Sequence, residues 1–95
     1  MAERPTPETF QPFVGQTFKI GDGRYAFELA NIEVGAEQSG WGFRPFTLIF
    51  QGPPGDVLPE GMYALAADGG AGFDLYLMPI HTPAPGRQDY QSVFA

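Results

Sequence analysis

The sequence has no cysteine and a single histidine, His81, in 95 residues. A disulfide framework, a thiolate metal site and a Cys–His catalytic pair are thereby excluded. Cations are scarce as well: five Lys/Arg stand against eleven Asp/Glu, giving a formal charge of −6 and a pI near 4.4. A surface of that sign repels phosphate backbones, which argues against nucleic acid as a direct ligand. No window approaches the ~20 apolar residues of a membrane-spanning helix, and Met1 to Pro7 carry no apolar signal core. These absences lead to an expectation of cytosolic synthesis without a membrane partner. They are compatible with later incorporation into a virion or tail-like particle.

What the chain does have is turn residues and rings. Thirteen glycines and ten prolines fall mostly between apolar runs, as turn punctuation that argues against long helices. Fourteen aromatic residues must supply much of the core, each able to bury on the order of 150–250 Å². A chain of this size forms one domain, and residues 1–5 read as a loose polar lead-in.

The most apolar stretch is Phe46-Thr47-Leu48-Ile49-Phe50, fenced by Pro45 and by Pro53-Pro54. Alternating large residues with β-branched types between them predict a strand near the middle of a sheet. The rest reads as shorter strands around it. Thr6-Pro7-Glu8 has the form of a helix start, so one or two turns over residues 9–14 are expected to end at Gly15 and plug one end of the structure. Strands follow over residues 16–20, 24–34, 43–51, 62–67, 73–80 and 90–94. In the second, the apolar parity runs Tyr25, Phe27, Leu29 and then shifts to Ile32 and Val34. Side chains alternate strictly, so the shift predicts a bulge near Ala30-Asn31. Six strands with turns between them predict an all-β fold, an antiparallel meander closing into a small barrel or sandwich. Loops would then alternate between two ends, with 21–23, 52–61 and 81–87 at one and 35–42 and 68–72 at the other.

Chemistry-bearing constellations are thin. A Ser–His–Asp set needs Ser39 or Ser92 beside His81, yet neither serine sits in a nucleophile-elbow sequence. Carboxylate pairs drawn from Glu28, Glu33, Asp56, Glu60 and Asp74 have the types for glycoside hydrolysis, but solvated outer faces explain them as well. Asp22-Gly23 and Asp68-Gly69-Gly70 contain letters of calcium loops without the closing Glu, and hairpin turns favour the same letters. The expectation is therefore a non-enzymatic domain with no metal and no cofactor.

Recognition surfaces remain. Trp41, between two glycines, sits in a loop where it serves either as a contact residue or as a cap folded onto the barrel end. Pro54 and Val57 belong to a stiff Pro-rich loop. Tyr76 alternates with the core positions of the fifth strand, and the last strand, ending in Phe94, offers an edge to a neighbour unless it is closed into the sheet. These five are the candidate contact residues.

Several landmarks occur together: Phe13-Val14-Gly15-Gln16-Thr17-Phe18, Leu29 to Val34, Phe46 to Pro53, Leu58-Pro59-Glu60-Gly61-Met62-Tyr63, Phe73 to Ile80, and Tyr90-Gln91-Ser92-Val93-Phe94. In that order and spacing the chain resembles a family of short bacterial and phage proteins, a domain of unknown function, from about Phe10 onward. Ala95 departs from the polar final residue of that pattern. The resemblance implies tail-collar-type proteins as genomic neighbours, and carries over no functional residue. Together these observations lead to an expected structural or accessory subunit that binds a protein partner or itself, within a phage-tail-like or surface-fibre assembly. The alternative is a small-ligand or carbohydrate-binding module that stacks its ligand on Trp41.

Overall fold

A computed structural model describes residues 6–20, 25–35, 45–54, 57–67, 70–80 and 86–94. Its elements are a short helix α1 (Pro7–Phe10), running into a 3-10 turn (Gln11–Phe13), and six strands. The strands are β1 (Thr17–Ile20), β2 (Tyr25–Val34), β3 (Phe46–Gly52), β4 (Gly61–Ala67), β5 (Gly72–Pro79) and β6 (Gln88–Phe94). All neighbours pair antiparallel, and they close into a barrel in the order β1-β2-β3-β6-β5-β4.

The barrel, its six strands and the N-terminal helix agree with the sequence reading; the meander does not. Strand β4 returns to pair with β1, and β6 takes the place beside β3. Three hairpin-connected strands with the fourth beside the first make a Greek key. The physical reason lies in the connection between β3 and β4. It is long and proline-bearing, and it buries Leu58 under the barrel end, so it crosses that end instead of turning back beside β3. Strand direction still alternates at every step, so the flanking strand ends place the loops at two ends as expected.

Inward positions follow the alternation of the sequence. Phe18, Phe27, Leu29, Phe46, Leu48, Phe50, Leu65, Ala67, Leu75, Leu77 and Tyr90 are buried in one cluster that includes Phe10 and Leu58. A six-stranded barrel is narrow enough for side chains to fill it. In β2 the register against β3 slips between Leu29 and Asn31, which restores Ile32 to the inner side opposite Leu48. The bulge is where the parity shift placed it.

The two ends are closed differently. At the lower end, Thr6 N donates to Thr9 Oγ1 (3.1 Å), Gly15 ends the turn at φ 88°, and Phe10 is driven into the barrel mouth. Its ring meets Phe73 at 5.0 Å and Phe94 at 5.7 Å, while Phe94 stacks on Phe46 at 4.5 Å. Such ring pairs stabilise beyond their buried area. This is the expected plug, made by one helical turn too short to stand alone. At the upper end, Phe27 and Tyr90 cross edge to face at 5.0 Å over Gly52. A β-carbon on Gly52 would lie 2.5 Å from the Phe27 ring, so only glycine allows this approach.

Candidate functional site

Chemistry on this barrel concentrates at the upper end, where three tyrosines from three strands hold the chain that follows β3. Tyr90 of β6 accepts the backbone N–H of Leu58 at 2.9 Å inside the protein. Tyr63 of β4 donates to the carbonyl of Pro59 at 2.6 Å. Tyr76 of β5 donates to the carboxylate of Glu60. Three successive residues are thus fixed by three side chains that project where strand alternation directs them. Burial raises the Tyr90 phenol above its ordinary value, partly offset by the Leu58 N–H. The Glu60 carboxylate, by accepting the Tyr76 proton, raises that phenol as well, with lesser contributions from desolvation and from its charge.

The side of the barrel next to this loop carries exposed apolar residues. Met62 is 65% exposed and sits directly across from Tyr76, 42% exposed, on the outer face of β4 and β5. Val57, in the held loop, is 49% exposed. Large apolar side chains at adjacent positions on a solvent-facing sheet are the kind of surface that marks protein contacts.

The structure divides the five expected contact residues. Pro54 and Val57 are exposed at the upper end, and Tyr76 is tied to Glu60 just below them. Phe94 lies at the opposite end and points inward, stacked on Phe46 as part of the plug. Its side chain is therefore a packing element, since alternation through Tyr90 and Ser92 turns it to the inner face. The last strand is paired along its whole length with β3, which leaves no free edge on that side. Trp41 and His81 lie outside the described residues, as do Ser39, Asp56, Asp22-Gly23 and Asp68-Gly69. Met62 is absent from the five expected residues, although strand parity sets it with Ala64 and Ala66 on the outer face.

The remaining candidates for catalysis are dispersed. Ser92 is 2% exposed inside the barrel. Glu28 and Glu33 lie on β2, and Asp74 on β5 across from Ala64 of β4. Among the described residues no group of three His, Cys, Asp or Glu is placed to hold a metal ion. Shallow surface grooves occur among the described residues, two of them well defined. One, of about 350 Å³, is floored by Ala64, Ala66 and Gly72 between Lys19 and Asp74; the other, of about 300 Å³, runs along Val34, Phe46 and Val93.

The sequence profile of a domain of unknown function, DUF6916, matches residues 5–94. The chain belongs to DUF6916. The match takes in α1, all six strands and both closed ends, so the family is defined over the complete barrel. No curated protein and no solved structure matches the chain. Among the described residues no helix is long and apolar enough to cross a membrane.

Proposed function

We propose that this DUF6916 domain is a non-enzymatic accessory subunit that assembles with another protein through the outer face of β4 and β5. The observation that carries the reading is the pairing of exposed Met62 and Tyr76 on adjacent strands beside a rigidly held loop. A surface fixed in advance loses little conformational freedom on binding. The filled interior supports the same reading, because inward side chains occupy the space a barrel-bound ligand needs. The tail-collar-type neighbours implied by the family resemblance favour a phage-tail-like or surface-fibre particle as the setting.

The test is recovery of tagged protein from its native host, with stoichiometry measured by mass spectrometry. Wild-type protein is expected to bring one partner in fixed ratio. Met62→Lys should lose that partner while melting at the wild-type temperature, since the side chain is solvent-facing. A partner retained by Met62→Lys, or a wild-type protein that emerges alone, would refute the proposal.

A further inference from the structure

Strands β5 and β6 are eight and seven residues long, yet they pair only at Met78 with Gln91 and Pro79 with Tyr90. One further backbone bond, from Ile80 N to Asp89 O at 3.0 Å, lies above those pairs. On its other side β5 is paired from Leu77 to Gly72 with β4, and β6 is paired throughout with β3. Along the seam below Met78 no residue of β5 is paired with β6, and among the described residues no other strand takes that place. The Ile80–Asp89 bond fixes the parity of the edge. Groups on alternate residues point the same way, so the backbones of Met78, Tyr76 and Asp74 face β6, while those of Leu77, Leu75 and Phe73 face β4. On β6 the corresponding group belongs to Val93.

Both banks of the seam are apolar on the outside. Extending the pairing register places Tyr76 across from Val93, which is 50% exposed, with Met62 beyond Tyr76 on the β4 side. Carboxylates outnumber cations around it, with Lys19 across the Ala64–Ala66 floor from Asp74. Asp74 lies exposed two residues along the edge and Glu60 is held at the Tyr76 hydroxyl, while Arg87 is paired with Asp89 at 2.8 Å.

We propose that the lower edge of β5 accepts an extended segment of a basic partner protein, added as a strand with alternating apolar and Lys/Arg side chains. The inference rests on the assembly reading above and names the partner's chemistry. The open edge runs six residues, Gly72 to Leu77, about 20 Å of strand. Backbone bonds to Asp74 and Tyr76 hold the segment, its apolar side chains cover Tyr76 and Val93, and its cations meet Asp74 and Glu60. A second copy of this chain fits poorly, because it brings a further charge of −6 to the same edge.

The probe is a synthetic heptapeptide, Lys-Val-Lys-Val-Lys-Val-Lys, titrated into the full chain and followed by amide NMR and hydrogen exchange. The expected result is shifted and protected amides at Asp74, Tyr76 and Val93. A peptide with Glu in place of each Lys should produce none. Asp74→Pro removes an N–H that faces the seam and makes no bond to β4, so it should weaken binding about tenfold. Equal binding of the two peptides to wild-type protein overturns the proposal without recourse to any variant. So does undiminished binding to Asp74→Pro, or self-association of the chain that Asp74→Pro abolishes. A native partner lost by Met62→Lys but kept by Asp74→Pro overturns the edge and leaves the assembly reading standing. A partnerless protein that still binds the lysine peptide does the reverse.

Discussion

Replacing Tyr90 with phenylalanine removes one oxygen atom from the upper end of the barrel. That oxygen is the acceptor for Leu58 N–H, and both residues are buried. The phenyl ring left at this position would keep the edge-to-face contact with Phe27, so the change isolates the hydrogen bond. A buried donor left without an acceptor costs about 1–3 kcal/mol. For a domain of this size each kcal/mol moves the melting temperature by about 4–8 °C, so Tyr90→Phe should melt about 4–24 °C below wild type. Circular dichroism on heating and in urea measures it. The same group sets an alkaline limit. The unfolded chain releases the phenolic proton near its ordinary value of about 10, whereas the folded chain, whose Tyr90 is raised by burial, still holds it. The folded state then binds more protons, so this contribution is complete below about pH 10 and is lost as pH rises through the folded value. Tyr90→Phe should flatten that alkaline fall. A melting temperature within about 1–2 °C of wild type, together with an unchanged alkaline fall, would refute the claim that this bond latches the loop.

Gly52→Ala sets a β-carbon 2.5 Å from the buried Phe27 ring, and overpacking of this kind should cost about 1–3 kcal/mol in urea denaturation. Phe10→Ala removes the plug between Phe73 and Phe94; it should cost about 3–5 kcal/mol, and amide exchange should quicken first at the lower ends of β5 and β6. The Tyr76 phenol is raised chiefly by its bond to Glu60, so Glu60→Gln should lower its titration midpoint in ultraviolet absorbance. An unmoved midpoint would mean that the pair does not persist in solution.

Alternation makes the inner face legible residue by residue, because period-two patterning states which side of a strand faces the core. The bulge at Ala30 is legible for the same reason, as a break in that period, and so is the plug, through Thr6-Pro7 and Gly15. Patterning does not state which strand lies beside which. Two strands with identical in-and-out rhythm can exchange places without any change in the sequence signal, and β4 and β6 do so relative to a meander. The tyrosine latch is hidden for a related reason: Tyr90 and Leu58 are 32 positions apart, and the acceptor's partner is a backbone group that every residue except proline possesses. Phe94 reads as a contact residue only when its place in the last strand outweighs its inward parity.

The strand order also has a temporal meaning. Because β6 fits between β3 and β5, a chain emerging in sequence carries two bare edges, one on each of those strands; β6 then pairs with β3 along its whole length and with β5 at Met78 and Pro79. Hairpins β1–β2–β3 and β4–β5 can form early from local contacts, but the wall closes only through the distant pairing of β6 with β3, from Gln88 on Gly52 to Phe94 on Phe46. The last strand is thus the kinetic clasp. A translation pause or nick between β5 and β6 would leave an open five-stranded sheet with the aggregation hazard of two unpaired edges.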